Sequence, residues 1–108
     1  MSCHLVYDDF ENEALSAAIS HYGRDHQLLK LLEELGELSR EVTKLLLCEG
    51  DMEHLAEEMA DVTILMNQLR MMLPYPYDKE TAFFHEKCVR LLERIGMDMI
   101  ESEEQNDT

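Results

Sequence analysis

The chain has few of the residues that interrupt helices and few basic side chains. Its 108 residues include two prolines and four glycines, which leaves long segments free to follow a helical period. Three widely spaced cysteines do not suit a disulfide framework or a zinc site with paired cysteines. Only nine lysines and arginines stand against 24 acidic residues, and the net charge of −15 argues against nonspecific binding to nucleic acid or anionic membrane.

Long apolar runs are also missing from the sequence. No stretch reaches the roughly 18 to 20 apolar residues that cross a bilayer. The first residues, MSCHLVYDDF, lack the basic start and apolar segment of a secretory signal. Hydrophobic residues make up 45% of the chain, which argues against wholesale disorder. We therefore expect one cytoplasmic domain with a modest core, which self-association would enlarge.

Glycines, prolines and capping residues divide the chain into four predicted helices. Asp8 with Glu11 offers a capping-box-like start to the first helix, and Asp51 is a candidate N-cap of the third. Pro74 and Pro76 each remove an amide donor, so the segment around them is predicted to be a connector. The predicted helices cover about residues 9–22, 26–48, 52–73 and 79–95.

We expect an all-α fold, a four-helix, bundle-like single domain. The short turn at residues 49–51 makes the second and third helices a central antiparallel hairpin, across which the fourth helix packs. Gly96 is predicted to end the fourth helix, so the domain covers residues 1–96. Residues 97–108 are acidic with few apolar anchors and are predicted to be a mobile tail. Packing between subunits is expected to complete the bundle.

Two acidic pairs stand where helical periodicity predicts inward-facing or edge positions. Glu34 and Glu37 lie one turn apart at the edge of the leucine stripe of the second helix. Glu58 falls on the apolar side of the third helix, where an unpaired charge is costly, and Asp61 follows one turn later. In an antiparallel hairpin about the turn at residues 49–51, two residues whose numbers sum to about 99 should lie at the same height along the helix axes. Glu37 then faces Asp61. The four carboxylates would then converge.

Four converging carboxylates repel one another unless they bind protons or a cation. Ligands that are all oxygen favour a hard ion, Mg²⁺ or Mn²⁺, over Zn²⁺. The alternative is a solvated helix face, on which Glu34 and Glu37 pair with Lys30, Arg40 or Lys44. That alternative suits a single acidic pair. Two acidic pairs on facing helices, one of them among apolar neighbours, favour the metal site.

The acidic pairs lie in two segments that resemble a known enzyme family. Residues 33–38, EELGEL, and residues 57–62, EEMADV, are similar to the E-x-x-E and E-x-x-D motifs of MazG-type all-α nucleoside triphosphate pyrophosphohydrolases. Twenty residues separate Glu37 from Glu58, which suits the spacing in that family. The resemblance covers about residues 26–73, and the flanking helices share only the general character of the family.

The resemblance implies an activity, a cofactor and a set of site residues. It implies hydrolysis of a ribo- or deoxyribonucleoside triphosphate to the monophosphate and pyrophosphate, with water attacking the α-phosphorus, as housecleaning of the nucleotide pool. The cofactor would be Mg²⁺, with Mn²⁺ as an alternative, and the protein a homodimer or homotetramer. The metal ligands and catalytic residues implied are Glu34, Glu37, Glu58 and Asp61.

Other polar side chains are candidates for contacts with water or substrate. One carboxylate of the cluster, or Glu33 or Glu41 nearby, is predicted to orient the attacking water. Lys44 lies about two turns beyond Glu37 on the same flank and is the first candidate for a phosphate contact, ahead of Lys30 and Arg40. On the fourth helix, Lys87, Arg90 and Arg94 either reach phosphates or only balance Glu86 and Glu93. Candidates for base contacts are Tyr22, Asn67, Gln68, Tyr75 and Tyr77.

The sequence was also compared with the features of two other classes of protein. A ferritin-like di-iron bundle has Glu-x-x-His ligand pairs, and none of the five histidines has that spacing. The second class is a catalytically inactive acidic helical adaptor or nucleotide-binding module. The intact acidic pairs weigh against that class.

Overall fold

Four α-helices account for most of the structure. The computed structural model describes residues 8–106. Its helices are α1 (Asp9–Tyr22), α2 (Arg24–Leu46), α3 (Met52–Met72) and α4 (Tyr77–Asn106), and none of the described residues is in a strand. The all-α, four-helix prediction is confirmed. Within the described residues, no helix combines the length and apolar character needed to cross a membrane. The described chain divides into two compact units, residues 8–75 and residues 76–106.

Local signals in the sequence set the ends of the first helices. Asp8 Oδ1 accepts a hydrogen bond from the Glu11 amide at 2.7 Å, and Glu11 Oε1 accepts one from the Asp8 amide at 3.1 Å. This is the predicted capping box. Gly23 separates α1 from α2 with a φ of 88°, a conformation that a residue with a Cβ rarely adopts. Asp51 caps α3 by accepting from the Glu53 amide at 2.9 Å.

The fourth helix is longer than predicted and runs through Gly96. It extends from Tyr77 to Asn106, so the prediction that Gly96 ends it is wrong. A glycine inside a helix costs only about 1 kcal/mol relative to alanine, and the chain stays helical on both sides of it. Residues 97–106 of the predicted tail form the last turns of α4, and residues 107–108 lie outside the described residues. The mobility of the tail and the domain boundary at residue 96 stay predictions.

Within residues 8–75, the contacts between helices are concentrated between α2 and α3. Gln27, near the start of α2, donates from Nε2 to Oε1 of Gln68, near the end of α3, at 2.9 Å. Glu41, near the end of α2, has its Oε1 3.2 Å from Nε2 of His54, near the start of α3. The beginning of each helix therefore lies beside the end of the other.

Gln68 joins all three helices of this unit. Its side chain is 1% exposed. Its Nε2 donates to the Leu15 carbonyl oxygen of α1 at 3.1 Å, and its Oε1 accepts from Gln27 of α2. A buried amide stabilises a fold when both its donor and its acceptor are bonded. This polar link therefore attaches α1 to α2 and α3 beside the small apolar core, which includes Leu31 and Leu65.

We expect Gln68→Ala to lower the free energy of unfolding by about 1–3 kcal/mol, because the substitution leaves polar groups of Gln27 and Leu15 without their partner. Urea denaturation followed by circular dichroism measures this loss. The matched control is Glu57→Ala, a truncation to the same residue at an exposed position of α3, which should stay within about 0.5 kcal/mol of the wild type. Equal losses in both variants would show that the bridging hydrogen bonds contribute nothing particular.

Candidate metal centre

Three of the four predicted carboxylates meet between α2 and α3. Glu34, Glu58 and Asp61 each offer one oxygen, and these oxygens all lie within 4.8 Å of one another. Glu34 comes from α2, whereas Glu58 and Asp61 lie one turn apart on α3. The fourth predicted ligand, Glu37, is not a member of this group, which we call the carboxylate trio.

Glu37 lies outside the trio because α2 and α3 pair in a different register from the one predicted. In both helix-to-helix contacts described above, the residue numbers sum to 95. The sum of about 99 predicted from the sequence corresponds to a turn that places both helices at equal heights. Two residues in contact must lie on the facing sides of α2 and α3 as well as at the same height. The register of one helix against the other therefore changes in steps of about one helical turn. As a result Glu34, rather than Glu37, lies beside Asp61.

Glu37 still influences the trio through its charge. It is one of the negative groups that raise the pKa of Glu58. Its own Oε2 lies 3.3 Å from Nη1 of Arg40, in an exposed ion pair within α2. Because exposed ion pairs contribute little free energy, Glu37 can leave this partner at small cost.

Glu58 is the buried member of the trio. It is 9% exposed, and its Oε2 atom has no hydrogen-bond partner. Its pKa is raised, first because burial removes water from the charge, then by the hydrogen bond and the negative charge of Glu34, and then by the charges of Asp61 and Glu37. A buried oxygen without a donor is costly unless a proton or a cation reaches it. The surroundings of Glu58 therefore favour binding of a positive charge.

The donor set of the trio fits a hard divalent cation. Its ligand atoms are all carboxylate oxygens, the type that Mg²⁺ and Mn²⁺ prefer. A group of exposed acidic residues would not by itself indicate a metal, since water solvates such groups well. The unsatisfied Oε2 of Glu58 distinguishes this group from a solvated surface.

Glu41 is a second buried carboxylate, and its contact with His54 is not among the contacts predicted from the sequence. It is 3% exposed, and its Oε1 lies 3.1 Å from Lys44 Nζ and 3.2 Å from His54 Nε2. The same His54 nitrogen lies 3.9 Å from Oε1 of Glu58, so the histidine links Glu41 to the trio. The spacing of four residues between His54 and Glu58 was the available signal, because it places both on one helix face. Glu41, a predicted water-orienting residue, thus already accepts a hydrogen bond from Lys44 and lies beside His54.

The other two predicted phosphate contacts of α2, Lys30 and Arg40, also have carboxylate partners. Lys30 Nζ lies 3.3 Å from Glu33 Oε1 and 3.7 Å from Glu34 Oε1. The hydrogen bond and charge of Glu33, and then the charge of Glu34, raise the pKa of Lys30. Together with the pair of Arg40 and Glu37, these contacts are those expected of the alternative, a solvated helix face. Such exposed pairs are weak, so a bound anion can compete for the cations.

A pocket of about 300 Å³ adjoins the trio, between α1, α2 and α3. Glu34 and Asp61 line it together with Lys30, which brings a cation to the same cavity as two carboxylates. Gln27 and Gln68 add their side-chain amides. The rest of the lining is apolar and consists of Ala14, Leu15, Ala18, Ile64 and Leu65. The pocket thus combines a charged end, hydrogen-bonding groups and an apolar wall.

Comparison of the chain with models of known protein families finds no match, and neither a curated protein nor a solved structure matches it. The likeness to MazG-type pyrophosphohydrolases therefore rests on the two acidic motifs of the sequence. Membership of that family stays a prediction.

Proposed function

We propose that this protein is a Mg²⁺-dependent nucleoside triphosphate pyrophosphohydrolase that releases pyrophosphate and a nucleoside monophosphate. The observation that carries the proposal is the buried Oε2 of Glu58, which has no donor and belongs to a group of three carboxylates. A divalent cation would satisfy this oxygen and would offset the repulsion among the carboxylates. Mn²⁺ has the same preference for oxygen and is the alternative ion.

The proposed architecture is a central antiparallel hairpin of α2 and α3 within a bundle that subunit packing completes in a homodimer or homotetramer. The two contacts that join the beginning of each helix to the end of the other support the antiparallel direction. Such a hairpin brings the E-x-x-E segment of one helix against the E-x-x-D segment of the next. The family ligand set of Glu34, Glu37, Glu58 and Asp61 then needs only Glu37 to turn from Arg40 towards the cation.

The pocket beside the trio supports a nucleotide as the substrate. A nucleoside triphosphate has a polyanionic end and a flat base with hydrogen-bonding edges. The polyanionic end would lie at Glu34, Asp61 and Lys30 with a cation between the negative groups, and the base would fit the apolar wall. Lys30 is now the preferred phosphate contact, because it lines the pocket, whereas Lys44 is held by the buried Glu41.

The reaction we propose is hydrolysis of the anhydride bond between the α- and β-phosphates. The water oxygen bonds to the α-phosphorus, and the bridging oxygen leaves with pyrophosphate. Bound Mg²⁺ would supply neutralisation of the phosphate charge and a lower pKa for water. A carboxylate of the trio, or Glu33, would orient the water and accept its proton. Glu41 suits that role less, since its Oε1 already accepts a hydrogen bond from Lys44 and lies 3.2 Å from His54 Nε2.

We expect incubation with Mg²⁺ and a panel of nucleoside triphosphates to yield pyrophosphate as the first product for at least one of them. In ¹⁸O-labelled water, the label should appear in the monophosphate, because attack is at the α-phosphorus. Mass spectrometry of both products measures this. A matched sample with excess EDTA is the control and should show no turnover.

Three results of this experiment would contradict the proposal. Orthophosphate as the first product, or label in the pyrophosphate, would overturn the reaction type. Lack of turnover with every nucleotide would favour the acidic adaptor or nucleotide-binding module. Iron that stays with the protein through purification would favour the di-iron bundle.

A further inference from the structure

Three pairs of polar side chains lie between α2 and α3, at intervals of seven residues on each helix. Seven residues make about two helical turns, so the members on each helix lie on one face. The pairs are Gln27 with Gln68, Glu34 with Asp61, and Glu41 with His54. The candidate metal centre is therefore flanked on both sides by a polar pair about two turns away.

The middle pair differs in its chemistry from the two outer pairs. In one outer pair a side-chain amide donates to the other at 2.9 Å, and in the second a carboxylate oxygen lies 3.2 Å from a ring nitrogen. Both outer pairs thus combine groups that attract each other. Glu34 and Asp61, in contrast, are two carboxylates, which only accept hydrogen bonds and repel each other when they are ionised. The outer contacts therefore hold two helices together across a pair that needs a cation or a proton.

His54 is the member of the outer pairs that also reaches the carboxylate trio. Its Nε2 lies 3.2 Å from Oε1 of Glu41 and 3.9 Å from Oε1 of Glu58. His54 and Glu58 are four residues apart on α3, so they lie on the same face of the helix. The other oxygen of Glu58, Oε2, is buried and has no hydrogen-bond partner. The ring nitrogen thus lies beside one oxygen of Glu58, and the second oxygen is left for a cation.

The charge of Glu41 does not by itself require the histidine. Glu41 is 3% exposed, and Lys44 already donates a hydrogen bond to its Oε1 at 3.1 Å. A buried carboxylate with a cationic hydrogen-bond partner is compensated. The side chain of His54 is 45% exposed, so its ring could turn into solvent if no neighbour attracted it. The buried Glu41 provides that neighbour, and the consequence is a ring nitrogen kept beside Glu58.

We propose that His54 is a positioning residue of the metal centre, which orients Glu58 so that Oε2 faces the cation, and that Glu41 holds the imidazole ring in place. Residues that contact metal ligands fix the direction of those ligands, and their loss typically lowers metal affinity by about 10- to 100-fold. His54 does not need to touch the cation for this role. The inference rests on the proposed function in one respect, since it takes Glu58 to be a metal ligand.

The test is calorimetric titration of the full chain with Mn²⁺ alone, without nucleotide, at pH 8 and at an ionic strength that screens the acidic surface. We expect His54→Ala to raise the dissociation constant of Mn²⁺ by about tenfold or more, because Glu58 loses the group that orients it. His54→Gln brings an amide N–H close to the position of Nε2 and should stay within about threefold of the wild type. His85→Ala, the same truncation at an exposed histidine of α4, is the matched control and should stay within about twofold.

His54→Leu fills much of the same space without an N–H and should lose as much affinity as His54→Ala, so the test does not depend on how the smaller side chain folds. Unchanged affinity in both variants, or a loss that His54→Gln does not recover, would overturn the positioning role. A wild type that binds no Mn²⁺ would overturn the metal centre, and with it both this inference and the proposed function. Mn²⁺ binding that depends on His54 in a protein that hydrolyses no nucleotide would overturn the proposed function alone.

Discussion

Glu58→Gln is expected to lower the rate of pyrophosphate release by at least about 100-fold, the usual effect of removing one electrostatic group that acts on the transition state. Glutamine keeps the size of the side chain and its burial but cannot supply the negative charge that holds a cation. The loss should appear in kcat/KM at saturating Mg²⁺, and the Mg²⁺ concentration needed for half-maximal activity should rise. Asp61→Asn is expected to act in the same way, since both residues belong to the carboxylate trio.

The matched control for this prediction is the neighbouring glutamate. Glu57→Gln is the same chemical change one residue earlier, at an exposed position of α3. It should keep activity within about twofold, because a solvated charge outside the trio is screened. A comparable loss in both variants would show that the acidic surface as a whole matters and that Glu58 has no special role. Glu37→Gln tests the fourth ligand, and undiminished activity would reduce the proposed ligand set to the trio.

The sequence predicts helix ends well where a capping side chain or a positive φ sets them. The reciprocal hydrogen bonds of Asp8 and Glu11 are local, so three residues of sequence suffice to predict the start of α1. Gly23 and Gly96 look alike in the sequence, yet only Gly23 has a positive φ and ends a helix. A glycine permits that conformation without requiring it. The outcome depends on whether the following residues gain more by continuing the helix, which a stop signal alone does not tell.

The carboxylate trio could be predicted only in part, because the face of each helix is a local property and the register between two helices is not. Helical periodicity is local and places Glu34, Glu58 and Asp61 on the facing sides of α2 and α3. The relative height of the two helices depends on the path of the turn, and an error of one turn exchanges Glu34 for Glu37. The contact of Glu41 with His54 was missed for the same cause, because it joins positions 13 residues apart across that turn.

The buried amides were even less accessible to sequence reasoning. Gln27 and Gln68 are 41 residues apart, and the sequence marks Gln68 only as a candidate for a base contact and Gln27 not at all. Only the three-helix packing makes them partners, with Leu15 of α1 as the third member. Polar groups of this kind become predictable when the register is known, since buried donors and acceptors must find each other.

Mg²⁺ is expected to stabilise the wild-type protein against unfolding, and the gain should grow as the pH rises. The pKa of Glu58 is raised in the folded state, mainly by burial and by Glu34. Its contribution to stability is therefore fully present below the ordinary glutamate pKa and is lost as the pH rises through the raised value. A cation binds the ionised form, so it restores at higher pH what deprotonation removes. At a Mg²⁺ concentration 100 times its dissociation constant, linkage gives about 2.7 kcal/mol.

Urea denaturation with and without Mg²⁺, at pH 5 and at pH 8, measures this dependence. Sodium chloride at matched ionic strength is needed as a control, because a chain of net charge −15 gains stability from any added cation that screens its repulsion. Glu58→Gln should abolish the Mg²⁺-specific gain, whereas Glu57→Gln should keep it. A gain that is equal at both pH values, that sodium reproduces, or that survives in Glu58→Gln would mean that Mg²⁺ acts on the surface charge and not at the trio. The buried oxygen of Glu58 would then have to be satisfied by a proton alone, and the metal-dependent activity would lose its main structural support.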